Sequence, residues 1–441
     1  MTFNSLEFLV FFIVVVGVLL RIPRGIPRKI GLLAASWYFY SLWNWKFVGL
    51  LALTAVVHWL AGRINRRWAV CVAVCCSVGI LAAFKYLGLW IDSVVMPVGI
   101  SFYTFQAISY TVDVYKGRVS GERSFLDVAL YVSFFPQLLS GPIVRANDFF
   151  LQLHDERQTN LARMADGFGQ FTFGFFKKVF IADRLTAYVG KVFENCNLFD
   201  GASLWVAAIA YTIQIYCDFS GYSDMAIGVA RAIGFDYKKN FDHPYVSTSV
   251  TEFWRRWHIS LSTWLRDYIY IPLGGNRKGN ARQYLNQMVT MLIGGVWHGA
   301  DWTFVAWGGV HGLALCAHKW WSRMPLSTAT HFLRLHRAFA WCLTMLTVMV
   351  GWILFRAETF TQAWVFVTRM FSFSDGIHWI HPHALVSVFC LAFASLNIKG
   401  KCLSDIRDVR TPSGLFVVLT LFLLAVLYPA AGSSPFIYFQ F

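Results

Sequence analysis

Two histidines stand where an imidazole can do acid–base chemistry. His298 lies in Gly294-Gly295-Val296-Trp297-His298-Gly299-Ala300-Asp301-Trp302, where it ends an apolar run. An ionisable group at the end of an apolar run sits at membrane depth, where it is costly and usually lines a water-filled cavity or an active site. The flanking glycines let a ligand approach ring and backbone closely, and a neutral imidazole is a natural general base for a hydroxyl. The competing reading is a histidine bonded to a neighbouring helix. His258 lies in the segment 252–268, where Trp254, Trp257, Leu261, Trp264, Leu265 and Tyr268 recur at helical spacing. Glu252, Arg255, Arg256, Thr263, Arg266 and Asp267 fill the opposite side. The pattern predicts one amphipathic helix at the membrane interface. His258 falls on its apolar face, and spacing alone favours a satisfied core histidine there.

Other polar groups offer less. His311, in Gly308-Gly-Val-His-Gly312, follows His298 by thirteen residues. Along one continuous helix that is about 220° further round, so it reads as a packing residue. His378, His381 and His383 form a cluster, but Pro382 interrupts it and no carboxylate or Cys completes a familiar metal spacing. No metal is expected. Asp218 and Ser220, in Asp218-Phe-Ser-Gly-Tyr-Ser-Asp224 at the end of an apolar run, line a cavity or belong to a loop. Nine cysteines include no CxxC, and Cys71, Cys75 and Cys76 lie inside an apolar run, which suggests buried structural thiols. There is no nucleotide-binding loop, serine nucleophile elbow or HExxH.

The elements that position these groups are set by composition. Of 441 residues 57% are hydrophobic and 14% charged, with 41 Phe and 19 Trp. A soluble core stops growing at about 250–300 residues, so lipid must solvate most of this chain. Disorder is excluded by the same figures. Fifteen apolar segments recur, among them 167–182, 202–217, 222–235, 283–297, 302–318 and 338–355. Several are too short or interrupted, as at Met96-Pro97 and Gly141-Pro142. About ten to twelve membrane-spanning helices are predicted, with re-entrant and interfacial helices between them. The net charge of +15 falls in short clusters between apolar runs, including 21–29, 62–68 and 231–282. That is a positive-inside pattern rather than a nucleic-acid surface, so these loops are assigned to the cytoplasm and the N-terminus to the opposite side. Leu6–Leu20 has its bases after it, at Arg21, Arg24, Arg28 and Lys29, so it reads as a retained first helix. Without fixed-period repeats or linkers, 1–441 is read as one integral membrane domain.

Seven motifs, in order, resemble one family. They are Met96-Pro-Val-Gly-Ile-Ser-Phe-Tyr-Thr-Phe-Gln106, Phe134-Phe-Pro-Gln-Leu-Leu-Ser-Gly-Pro142, Asp218-Phe-Ser-Gly-Tyr-Ser-Asp224, Phe253-Trp-Arg-Arg-Trp-His258, Ser262-Thr-Trp-Leu-Arg-Asp-Tyr268, Gly294-Gly-Val-Trp-His-Gly299 and Trp307-Gly-Gly-Val-His-Gly312. They resemble the membrane-bound O-acyltransferases, in the bacterial branch that exports acyl groups for polysaccharide modification. Within it the chain looks most similar to the membrane proteins of alginate O-acetylation, whose ending Ser434-Pro-Phe-Ile-Tyr-Phe-Gln-Phe441 is also alike. Teichoic-acid D-alanylation and cellulose O-acetylation proteins share the core motifs. The resemblance covers about 96–312; residues 320–433 offer few matches.

The resemblance implies an all-α polytopic fold, a ring of helices around a thinned centre with a tunnel from a cytoplasmic donor mouth to the far side. It implies that His298 is catalytic and that His258 is a second residue of the site, orienting the thioester or stabilising its developing oxyanion. Trp257, Trp297, Arg255, Arg256, Asp218, Ser220 and Asp301 are candidate substrate-binding residues. The implied activity takes an acetyl group from a cytoplasmic thioester, acetyl-CoA or another, across the bacterial inner membrane. The acceptor is a periplasmic acetyltransferase partner or an exported polysaccharide such as alginate. No tightly bound cofactor is expected. A D-alanyl carrier-protein thioester or cellulose O-acetylation is the alternative within the family. Outside it stand a lipid-linked glycan flippase, against which the missing repeats argue, and a non-catalytic export scaffold.

Overall fold

The computed structural model describes residues 1–87, 91, 95–121, 123–139, 141–155, 159–324, 334–372, 375–394, 397–398, 401–402 and 408–430. The terminal stretch 434–441 singled out in the sequence lies outside them. The described regular structure is helical, apart from a two-residue antiparallel ladder (Asn397–Ile398 with Lys401–Cys402) and an isolated bridge between Phe199 and Ile377.

Four described helices are both long and apolar enough to cross a bilayer: Lys46–Ile64, Arg67–Tyr86, Gly201–Ala232 and His336–Arg356. Leu6–Leu19 is apolar, but its 14 residues reach only about 21 Å against a hydrocarbon core of ~30 Å. The ten to twelve spans predicted from hydropathy thus include helices that are short or polar for that role. Outward faces are apolar on the long ones. In Arg67–Tyr86 only 22% of the apolar window is buried, and Cys71, Cys75 and Cys76 are exposed on this helix. The sequence suggested buried thiols; in a chain solvated by lipid, an apolar run faces outward as readily as inward.

The chain packs as two compact units. The first comprises 1–175, 222–239 and 407–420. Its core is aromatic, with Phe3, Phe8, Phe11, Phe39 and Phe135 in ring contact. Two of the family-like motifs meet there. Gly99 has φ +74°, and a Cβ on it would collide with the Leu138 carbonyl. Gln137 donates to the Gln106 side chain at 3.4 Å and accepts from the Tyr237 hydroxyl at 3.1 Å. The motifs 96–106 and 134–142 are therefore packing devices of this unit.

The second unit comprises 176–221, 240–406 and 421–441 and holds both candidate histidines. Its centre is a hairpin of two 20-residue helices, Gly279–His298 and Trp302–Trp321. Small residues bring them together: a Cβ on Gly308 would sit 2.5 Å from the Met291 carbonyl oxygen, and one on Gly295 would collide with the Phe304 carbonyl. The sequence reading gave Gly295 to ligand approach; here Gly295 and Gly308 both serve close helix contact.

The candidate active site

His298 is the last residue of its helix, and extended Gly299 follows. Its ring is 5% exposed and walled by Trp297, Trp307 and Phe355 at centroid distances of 4.6, 4.8 and 5.2 Å. No side chain fits at Gly299, where a Cβ would run into the Phe304 ring. The helix carries its negative dipole end here, which favours the positive ring that a general base becomes after taking a proton. Trp307 also touches His311, at 5.0 Å. The helix is not continuous between these two histidines, so the rotational argument that separated them fails. His311 is fully buried, accepts from Trp254 Nε1–H at 3.3 Å, and holds Nε2 where any Cβ on Gly351 would fall.

His258 is held differently. The predicted single helix over 252–268 is broken: Val250–Arg256 ends at extended Trp257, His258 is left-handed at φ 41°, and Ile259–Leu265 restarts. Side-chain periodicity did not reveal the break because Trp257, Leu261, Trp264 and Leu265 are buried on either side of it. Backbone groups released at the break go to the segment Asn240–Asp242. Ile259 N–H donates to the Asn240 carbonyl at 2.8 Å and Asp242 N–H to the Arg256 carbonyl at 2.9 Å. The Asn240 side-chain oxygen accepts from Ser260 N–H at 3.1 Å and lies 3.3 Å from His258 Nδ1. Burial pushes the His258 ring down to about 3, so it is neutral near pH 7.

Between the two histidines runs a chain of rings. Trp257 meets Trp352 at 4.8 Å, Trp352 meets Phe355 at 5.8 Å, and Phe355 meets His298. The sequence reading missed Trp352 and Phe355; one signal was their place in an apolar helix carrying Gly351. Its candidates in Asp218-Phe-Ser were Asp218 and Ser220. That motif lies inside the 32-residue helix Gly201–Ala232, which merges two predicted segments. Phe219 is the residue that touches His258, at 4.5 Å. Asp218 instead forms a buried triad with Lys178 and Asp183, at 2.6 and 2.7 Å from the ammonium, and Ser220 accepts from Lys177 at 3.0 Å. A cavity of about 940 Å³ lies beside this region, lined by Tyr216, Tyr245, Trp341 and apolar neighbours, but neither His258 nor His298 lines it.

The model of the MBOAT, membrane-bound O-acyltransferase family, matches residues 116–361. The chain belongs to that family. This acyltransferase is 42% identical to "Probable alginate O-acetylase AlgI" of Azotobacter vinelandii, over the full length of both chains. It is 34% identical to "Peptidoglycan O-acetyltransferase" of Helicobacter pylori, over 76% of this chain and 72% of that one. With "Teichoic acid D-alanyltransferase" of Streptococcus thermophilus it shares 30% identity over 51% of this chain and 57% of the other. With its apolar helices, the acyltransferase is a multi-pass membrane protein.

The remaining candidate residues of the acyltransferase are scattered. Asp301 is exposed at the start of helix Trp302–Trp321. Arg256 is tied to Glu252 at 3.0 Å and to the Asp242 carbonyl at 3.1 Å. Arg255 is exposed. Burial, with the like charges of Arg323 and Arg255, holds the Lys319 ammonium below its usual range. Lys319 and Arg323 thus join Arg255 in a basic patch, although the sequence reading paired Arg255 with Arg256. His378 bonds to Asp200 at 2.7 Å and His383 to the Phe180 carbonyl at 2.9 Å.

Proposed function

We propose that this acyltransferase takes an acetyl group from acetyl-CoA at the cytoplasmic face of the bacterial inner membrane and delivers it for O-acetylation of an exported polysaccharide such as alginate. The immediate acceptor is a hydroxyl of a periplasmic acetyltransferase partner or of the polysaccharide itself. The observation that carries the reading is His298, a buried imidazole at a helix C-terminus inside an aromatic cage. Support comes also from the full-length relative named for alginate O-acetylation.

In the proposed step His298 takes the acceptor hydroxyl proton as the oxygen attacks the thioester carbonyl. The C–O bond forms, the C–S bond breaks, and the proton leaves with the thiolate as free thiol. A thioester is already electrophilic, so positioning and base catalysis supply most of the acceleration. His258 completes the site. Trp257 and Trp297 act by walling it, and the patch of Arg255, Lys319 and Arg323 offers positive charge to donor phosphates.

The relatives named for teichoic-acid D-alanylation support a second reading, with a D-alanyl carrier-protein thioester as donor. Their match covers about half of this chain, so acetyl transfer is preferred. Membranes containing the protein should move label from acetyl-CoA to an acceptor or release it slowly as acetate. Label moved only from a D-alanyl carrier protein selects the second reading, and label moved from neither donor overturns both.

A further inference from the structure

Asn240 is 1% exposed, and His258 is fully buried. The Asn240 side chain must present its oxygen toward the break, because the backbone N–H of Ser260 points at it from 3.1 Å and needs an acceptor. That fixes the amide orientation. The Ser260 hydroxyl donates to the same oxygen at 2.9 Å, so it is not directed at His258 Nδ1, which is 3.5 Å away. Nδ1 itself is 3.3 Å from the Asn240 oxygen. A bare Nδ1 there would set lone pair against lone pair; a protonated one donates. The left-handed backbone at His258 and the Ile259 N–H bond to the Asn240 carbonyl hold ring and amide in this register.

We infer that Asn240 fixes the tautomer of His258, keeping the proton on Nδ1 and leaving Nε2 as the ring's hydrogen acceptor. This rests on the proposed role of His258 at the reaction site and changes it. A neutral ring with an unprotonated Nε2 cannot donate to an oxyanion, the task the sequence resemblance suggested. It accepts a hydrogen instead, from the incoming hydroxyl or a water that relays its proton toward His298. Asn240 is thus a positioning residue, acting through His258.

The test has two arms. In full-length protein labelled with ¹⁵N-histidine at pH 7, the His258 signals are assigned by their loss in His258→Gln. They should show a pyrrole-type Nδ1 and a pyridine-type Nε2; the reverse pattern, or an imidazolium, overturns the inference whatever the acyl-transfer assay gives. In the second arm Asn240→Asp, which keeps the acceptor oxygen, should retain acetyl transfer within about tenfold of wild type. Asn240→Leu should lose about 10²-fold or more, since a mis-set tautomer in a catalytic triad costs up to ~10⁴. Equal activity in the two variants overturns the inference. If Asn240→Leu does not accumulate, the ring-nitrogen pattern of the wild-type protein decides. Absent acetyl transfer in wild type overturns the proposed function and leaves the tautomer to that same measurement.

Discussion

The two histidines are held by opposite means. His298 is positioned by shape: three aromatic rings, a glycine that excludes a side chain, and a helix pair drawn together at Gly295 and Gly308. His258 is positioned by polarity: a broken helix, a left-handed backbone, and the amide of Asn240. A packed aromatic cage excludes water and strengthens the electrostatics of proton transfer. A hydrogen-bonded clamp fixes which nitrogen carries the proton. The difference suggests a division of labour in which one ring exchanges the proton and the other guides it.

The largest test of that division replaces each ring by glutamine. His298→Gln keeps hydrogen bonding but cannot take the hydroxyl proton, and base catalysis contributes ~10²–10⁴-fold. Transfer of labelled acetyl, normalised to protein amount in membranes, should fall by that factor while the protein still accumulates. Gln at 258 keeps a carbonyl that can accept a hydrogen, so His258→Gln should retain more activity than His298→Gln. Near-wild-type turnover in His298→Gln would break the comparison at its base.

A comparable free energy is at stake in the buried triad of Lys178, Asp183 and Asp218. Lys178 is 1% exposed and lies between Asp183 and Asp218. Lys178→Met leaves two carboxylates facing each other without their cation, and breaking a buried ion pair costs about 3–5 kcal/mol. The variant should accumulate poorly and unfold at a lower temperature in detergent. Asp218→Asn, which leaves one carboxylate for the lysine, should be milder. If Lys178→Met keeps its thermal stability but loses donor affinity, the triad is a substrate site and the polar side is not structural.

The shape-held side is sharpened by Gly308→Ala. Its Cβ would fall 2.5 Å from the Met291 carbonyl, and overpacking costs about 1–3 kcal/mol. Thermal stability should drop, with most of the specific activity kept in the protein that remains folded. A stable but inactive Gly308→Ala would show that the close helix contact serves the site rather than the fold.

These contrasts also mark what the sequence made legible. Apolar runs located the helices, because lipid permits long outward apolar faces and the run is the signal. Breaks were harder to see. The run 202–235 reads as two segments around Asp218-Phe-Ser-Gly, yet Asp218 pairs with Lys178 and Ser220 accepts from Lys177, both from another helix, and the backbone continues. The run 252–268 reads as one helix, yet Asn240 takes up the groups released at a break. Both errors come from partners distant in sequence. The placement of His298 was legible for the opposite reason: its setting is local, a histidine ending an apolar run among glycines and tryptophans.

The smallest expected effect separates the two arginines that the sequence treated alike. Arg256 is bound to Glu252 and the Asp242 carbonyl, and it supports the segment that clamps His258. Partly exposed pairs of this kind are worth about 0–1 kcal/mol, so Arg256→Ala should lower thermal stability slightly and leave the KM for acetyl-CoA near its wild-type value. Arg255 is exposed and shares its charge field with Lys319 and Arg323. Arg255→Ala should therefore leave stability unchanged and raise the KM for acetyl-CoA a few-fold, with the rise shrinking as salt screens the patch. If the KM responds to Arg256 and not to Arg255, the donor phosphates sit on the clamp rather than on the patch. The polarity that positions His258 would then also be the polarity that reads the donor.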